Sequence, residues 1–80
     1  MKNPRTLNQL EIGAQAKIKA LHTEGAMKRR FLDIGLIQNS NVKCVLESPL
    51  GDPKAYEIRG TLIAIREEDA ATIELEDLYE

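Results

Sequence analysis

The chain has no tryptophan, one cysteine and one histidine among its 80 residues. Because Cys44 is alone, no internal disulfide can form, which is typical of proteins in a reducing compartment. A lone histidine, His22, supports no Ser/His/Asp or Cys/His catalytic arrangement, and the chain contains no glycine-rich phosphate loop. The sequence therefore predicts a protein that is not an enzyme.

Long apolar runs are also missing. A membrane-spanning helix needs about 20 consecutive apolar residues, and no segment of this chain approaches that length. The N-terminus does not lead into the apolar run of a signal peptide. We expect a cytoplasmic protein, which would reach the inner face of the cell membrane only through a partner.

The charges nearly balance, with 11 Lys and Arg residues against 13 Asp and Glu residues. The net charge of −2 gives no bulk attraction to nucleic acid or to anionic lipid. A transition-metal site needs several nitrogen or sulfur ligands close together, and one histidine and one cysteine do not supply them. We therefore expect no metal site, no cofactor, no nucleic-acid partner and no insertion into a membrane.

Most of the chain consists of short segments in which apolar and polar residues alternate, as they do in half-buried strands. These segments are 15–21, 41–47, 55–59, 61–65 and 73–76. In the second segment, the alternation predicts that Leu46 faces the core together with Cys44. Residues 61–65 are apolar on both faces, which predicts a central or covered strand.

One helix interrupts this pattern over residues 26–34, where Met27, Phe31 and Ile34 form a narrow apolar stripe. Gly35 suits the left-handed residue that ends a helix. Five short strands are too few for a sandwich, whereas a sheet curled on itself encloses a small aliphatic core. We predict a mainly β fold, a small SH3-like barrel of about five strands with a short helical insertion after the first strand. It would be one domain over 1–80, frayed at 1–5.

Residues 48–53, SPLGDP, predict a stiff loop between two strands. Pro49 and Gly51 suit the second and fourth positions of a type I turn. Leu50 at its tip either folds back over the open end of the barrel or is exposed to solvent.

A second leucine lies outside the apolar stripe of the helix. Leu32 is about 140° around the helix from Met27 and follows the basic run 28–30. It either packs beneath a neighbouring loop or is exposed, and the basic run is either a solvated helix face or the rim of an apolar contact surface. We predict a partner-binding surface made of Lys28, Arg29, Arg30, Leu32, Leu50, Gly51 and Asp52.

Four motifs follow one another along the chain: RRFLDIGLI at 29–37, PLGDP at 49–53, IRG at 58–60 and LIAIR at 62–66. Their order and spacing resemble the FeoA family, small cytosolic proteins of bacterial ferrous iron transport. One departure concerns the turn after the helix, where the family often has a proline-glycine pair and this chain has Gln38-Asn39.

The resemblance implies an SH3-like barrel and a non-enzymatic accessory role in ferrous iron transport. The implied partner is FeoB, a membrane transporter on whose cytosolic GTP-binding portion the protein would dock to support or regulate iron uptake. It also implies, weakly, transition metal ion binding. The alternative is a self-associating domain, or a general protein–protein interaction module without a direct transport role. A weak homo-oligomer also stays open as an alternative.

Overall fold

The computed structural model of the chain describes residues 4–76. A 3₁₀ turn at Leu7–Gln9 comes first. The following elements are β1 Gln15–Leu21, α1 Gly25–Asp33, β2 Asn41–Glu47, β3 Lys54–Ile58, β4 Thr61–Ile65, α2 Glu67–Ala70 and β5 Ile73–Leu75. Five strands with a helix after the first confirm the predicted mainly β class. No helix in the described part of the chain has the length and apolar character needed to cross a membrane.

The strands form one antiparallel sheet in the order β4-β3-β2-β1-β5. β1 has two neighbours along its length, because residues 15–17 pair with β2 and Ile18 and the residues after it pair with β5. A register shift between Ile18 and Ala20 interrupts the pairing of β1 with β5. Since irregularities of this kind bend a strand, the sheet turns around β1 and encloses the core.

The two ends of the described chain meet at β5. Thr6 forms an isolated bridge with Glu74, and the Leu75 amide donates a hydrogen bond to the Arg5 carbonyl at 2.8 Å. The Arg5 amide also donates to Gln9 Oε1 at 2.8 Å. Of the segment predicted to fray, residues 1–3 lie outside the described residues, whereas Arg5 is held by these bonds.

β4 lies at the edge of the sheet, so the prediction that residues 61–65 form a central strand is wrong. Its side chains on the outer face, Leu62 and Ala64, are exposed, and Leu62 retains 56% of its accessible surface. Apolar residues on both faces of this strand therefore reflect an uncovered outer face. They do not reflect burial between two layers.

A bulge in β2 reverses the orientation of its second half. Cys44 pairs with Tyr56, whereas Leu46 pairs with Ala55, and the register shifts between the two pairs. The extra residue, Val45, turns Leu46 to the outer face. Cys44 is completely buried and Leu46 is 55% exposed, so the expectation that both face the core is wrong for Leu46. An apolar residue at a polar position of the alternation, Val45, was the sign of this bulge in the sequence.

Helix α1 packs through the predicted stripe. Phe31 is buried, and the other two members of the stripe are partly buried against the core. The helix begins at Gly25 and ends at Asp33, one residue earlier at each end than predicted. Gly35 follows with φ of 102°, in the left-handed region expected of the residue that terminates a helix.

Polar contacts from β3 hold the N-terminal 3₁₀ turn against the core. The Tyr56 hydroxyl donates to the Leu7 carbonyl at 3.4 Å, and Lys54 Nζ donates to the carbonyls of Asn8 and Leu10 at 3.1 and 3.3 Å. Burial raises the pKa of Tyr56, so the hydroxyl keeps its proton for this bond. The largest fully buried side chains are those of Tyr56, Leu7, Leu10, Ile18, Leu36, Ile58, Ile73, Val42 and Cys44.

Candidate protein-docking surface

The loop between β2 and β3 presents Leu50 to solvent. The Gly51 amide donates to the Ser48 carbonyl at 2.8 Å, as in the predicted turn, and the Ser48 amide donates to the Pro53 carbonyl at 3.2 Å. Leu50 is 94% exposed, so it does not fold back over the barrel. Two prolines and two internal hydrogen bonds therefore hold an apolar side chain in water.

Asp52 ties the base of this loop to α2. Its Oδ1 atom accepts a hydrogen bond from the Glu67 amide at 2.9 Å. Glu67 is the first residue of α2, and the preceding residue, Arg66, makes no side-chain capping bond. Because the first amides of a helix have no partner within it, Asp52 supplies a cap from a distant part of the sequence.

We expect the Asp52→Ala variant to lose about 1 kcal/mol of unfolding free energy, the usual cost of removing a helix cap. The matched Asp52→Asn variant keeps an acceptor oxygen and should lose less. Urea unfolding measures both losses, and amide hydrogen exchange at Glu67 reports the bond directly. Unchanged exchange at Glu67 in Asp52→Ala would show that the bond does not hold the loop to the helix.

The second part of the predicted surface lies on α1. Lys28, Arg29 and Arg30 are all exposed, and Leu32 keeps 43% of its accessible surface. Leu32 is therefore more exposed than a residue packed beneath a loop, although less than Leu50. Within residues 4–76, Lys19 forms an ion pair with Glu74, His22 forms a hydrogen bond with the same carboxylate, and no ion pair involves the basic run of α1.

The β2–β3 hairpin separates these two parts. Gly35, just after α1, lies against the end of β3, where a side chain at position 35 would meet Ile58 and Arg59. The loop with Leu50 joins the other end of the hairpin. From the pair Val42–Ile58 to the pair Glu47–Lys54, β3 advances by four residues and β2 by five because of its bulge, a length of roughly 13 Å at the rise of a strand. A partner that touches both parts has to span this length.

Sequence reasoning missed an apolar area on the outer face of the sheet. The register places Leu46, Ala55 and Ala64 side by side across β2, β3 and β4. Leu62 lies two residues before Ala64, on the same face of β4. Leu46 and Leu62 are each more than half exposed. This area exists because the bulge turns Leu46 outward and because β4 lies at the edge of the sheet. Both features depend on strand pairing, which the sequence pattern of a single segment does not show.

The family model described as FeoA domain matches residues 5–77 of the chain. The chain belongs to the FeoA family. One relative is a fusion of Fe(2+) transport protein A with the Fe(2+) transporter FeoB from Porphyromonas gingivalis, 36% identical over 70 residues. This match covers 88% of the chain but 8% of the fusion protein, so the chain spans a small part of that relative.

Two solved structures share the fold of this FeoA domain. The solution structure of FeoA from Chlorobium tepidum is 31% identical, with a TM-score of 0.85 over 92% of this chain and 70% of that one. A zinc complex of FeoA from Stenotrophomonas maltophilia, described as a prokaryotic SH3 domain protein, is 23% identical with a TM-score of 0.80 over 91% of each chain. The second likeness concerns the fold alone, and it confirms the predicted SH3-like architecture.

In the part of this FeoA domain that the structure describes, the side chains that could ligate a metal are dispersed. Over residues 4–76, no group of three or more His, Cys, Asp or Glu residues is placed to hold a metal ion. His22 Nε2 lies 2.8 Å from Glu74 Oε1, and this hydrogen bond lowers the pKa of Glu74. Burial raises the pKa of the Cys44 thiol, so the thiol stays protonated among apolar neighbours.

Proposed function

We propose that this FeoA domain is a non-enzymatic accessory protein of ferrous iron transport in the cytoplasm. It docks on the cytosolic GTP-binding portion of the membrane transporter FeoB and regulates iron uptake from there. The observation that carries the proposal is the P. gingivalis fusion protein, in which a related segment and FeoB belong to one polypeptide. Such a fusion keeps two partners at a high effective concentration.

The exposed loop supports the docking step. An apolar side chain that is 94% exposed gains nothing in the isolated domain, whereas burying it in a partner removes its surface from water. Because hydrogen bonds and prolines already fix the loop, little conformational entropy is lost when it binds. Leu50 is therefore suited to be the central contact, with Gly51 and Asp52 setting its orientation.

The helix supplies the charged part of the contact. Lys28 and Arg29 lie one helical turn before Leu32, and Arg30 is exposed on the same helix. Together they give α1 a cationic rim, which suits an acidic patch on the partner. Charges at the rim of an interface accelerate association more than they strengthen the complex. We propose that the partner spans the β2–β3 hairpin, with the loop as its apolar anchor and the helix as its electrostatic guide.

We expect the Leu50→Glu variant to bind full-length FeoB at least tenfold more weakly, because a central apolar contact is replaced by a charge that must be desolvated. Leu32→Glu should weaken binding by a smaller factor, in keeping with its lower exposure. Calorimetry or surface binding with FeoB loaded with a GTP analogue or with GDP gives both affinities. The thermal midpoint of each variant should stay close to that of the unmodified domain.

The matched control is Leu62→Glu, which adds the same charge at another exposed leucine, 56% exposed and outside the predicted docking surface. It should bind FeoB as the unmodified domain does. Equal affinity of Leu50→Glu and the unmodified domain would refute the docking surface. Equal loss in Leu50→Glu and Leu62→Glu would mean that added negative charge, wherever it lies, opposes binding.

A further inference from the structure

The outer edge of β4 carries backbone groups with no partner in the described chain. β4 is the terminal strand of the sheet, and within residues 4–76 no strand or isolated bridge pairs with its far side. Its pairing with β3 is continuous from Thr61 to Ile65, without a register shift. An edge of this kind is a template for pairing with another strand.

The turn before β4 determines which groups point outward. Arg59 and Gly60 have φ of 54° and 84°, the pattern of a two-residue type I′ hairpin turn. Ile58 and Thr61 therefore form a hydrogen-bonded pair, and such pairs alternate with non-hydrogen-bonded pairs along an antiparallel ladder. It follows that the N–H and C=O groups of residues 62 and 64 point away from β3, toward the open edge.

The strand lacks the features that normally protect an edge. Natural edge strands carry lysine, proline or a bulge, which oppose pairing with other chains. β4 has the sequence TLIAI, with no charge, no proline and no bulge. Leu62 and Ala64, which bear the outward-pointing groups, also have exposed side chains.

We propose that this edge pairs with β4 of a second copy of the chain, antiparallel and about a two-fold axis at Ile63. Leu62 then exchanges both backbone hydrogen bonds with Ala64 of the second copy, and Ala64 with Leu62 of the second copy. The two partners form one continuous sheet, and each large exposed side chain faces a small one.

Charge does not oppose this register. β4 itself carries no charged residue, so with Ile63 on the axis no like charges meet between the paired strands. An edge of five residues buries much less than the roughly 1,600 Å² of a standard protein interface. The dimer is therefore weak, and the fraction of the chain in the dimer rises with protein concentration.

Sedimentation equilibrium of the full chain over a wide range of concentrations tests the proposal, with a reversible monomer–dimer equilibrium as the expected result. The Ala64→Pro variant removes one outward N–H while it leaves the bonds to β3 intact. Leu62→Lys places a charge on the edge. Each should weaken dimerisation at least tenfold without a change in fold, which circular dichroism checks.

Leu46→Lys is the matched control, because Leu46 is as exposed as Leu62 and lies on the same face but on the interior strand β2. It should dimerise as the unmodified chain does. A monomer at every concentration would overturn the proposal. Equal weakening by Leu46→Lys would overturn it too, since the contact would then be formed by the face of the sheet.

Cysteine cross-linking tests the register. Across the axis, Ile63 faces its own copy as a non-hydrogen-bonded pair with Cα atoms about 4.5 Å apart, within reach of a disulfide. The Thr61 copies would be about 13 Å apart, which is too far. Mild oxidation should therefore give a disulfide-linked dimer of Ile63→Cys and none of Thr61→Cys. Cys44 is buried and serves as the internal control. Equal cross-linking at both positions would refute this register.

Discussion

The Tyr56→Ala variant should lose about 3–5 kcal/mol of unfolding free energy, as large aromatic truncations in cores usually do. Tyr56 heads the fully buried side chains by volume and is 1% exposed. A domain of this length has a total stability of about 4–12 kcal/mol, so the loss removes a large part of it. Urea unfolding followed by circular dichroism measures the effect.

The Tyr56→Phe variant separates the ring from the hydroxyl. It keeps the packed ring and removes only the hydrogen bond to the Leu7 carbonyl, which is long at 3.4 Å. We expect a loss of about 1 kcal/mol or less. If Tyr56→Ala lost no more than Tyr56→Phe, the ring would contribute nothing to the core, contrary to its complete burial.

The Gly35→Val variant should be destabilised by about 3 kcal/mol, which for a domain of this size lowers the thermal midpoint by roughly 15 °C. Gly35 has φ of 102°, where a β-branched residue is strongly disfavoured. An added Cβ would also lie 2.7 Å from Arg59 Cδ and 3.6 Å from Ile58 Cγ2. Differential scanning calorimetry measures the shift.

A double-mutant cycle distinguishes the two causes. Gly35→Ala should cost about 2 kcal/mol, chiefly through the backbone, because the Arg59 side chain is exposed and can move away. The same substitution in an Arg59→Ala background, which lacks the contacting atom, should cost nearly as much, within about 0.5 kcal/mol. Disappearance of the cost in that background would show that the contact with Arg59 dominates.

The positions of the strands along the chain were predictable from the sequence, because successive inward-facing residues of a strand are two positions apart in the chain. The pattern 15–21 and the helical stripe with Phe31 both reflect local spacing, and local spacing survives in the folded chain. The bulge at Val45 and the edge position of β4 depend on which strands pair and in what register. Alternation within one segment does not contain that information, so the orientation of Leu46 and the position of residues 61–65 were mispredicted.

The candidate site was predictable to a similar extent. Proline and glycine around Leu50 determine a turn by themselves, and the helical angle of Leu32 follows from its distance from Met27 along the chain. Their relative position depends on the hairpin between them, which puts the loop and the end of α1 at opposite ends of β2 and β3. The hydrogen bond from the Glu67 amide to Asp52 could not be predicted from the sequence either, because it joins residues on different elements.

The pairing of Thr6 with Glu74 has a consequence for how the chain folds. β2, β3 and β4 follow one another through short turns, so their contacts close small loops at little entropic cost. The contacts between the first and last described segments close a loop that contains nearly the whole chain. Such distant contacts form late and slow a folding reaction. The three consecutive strands β2, β3 and β4 should therefore pair first. The pairing of the N-terminal segment with β5 should form last and complete the barrel.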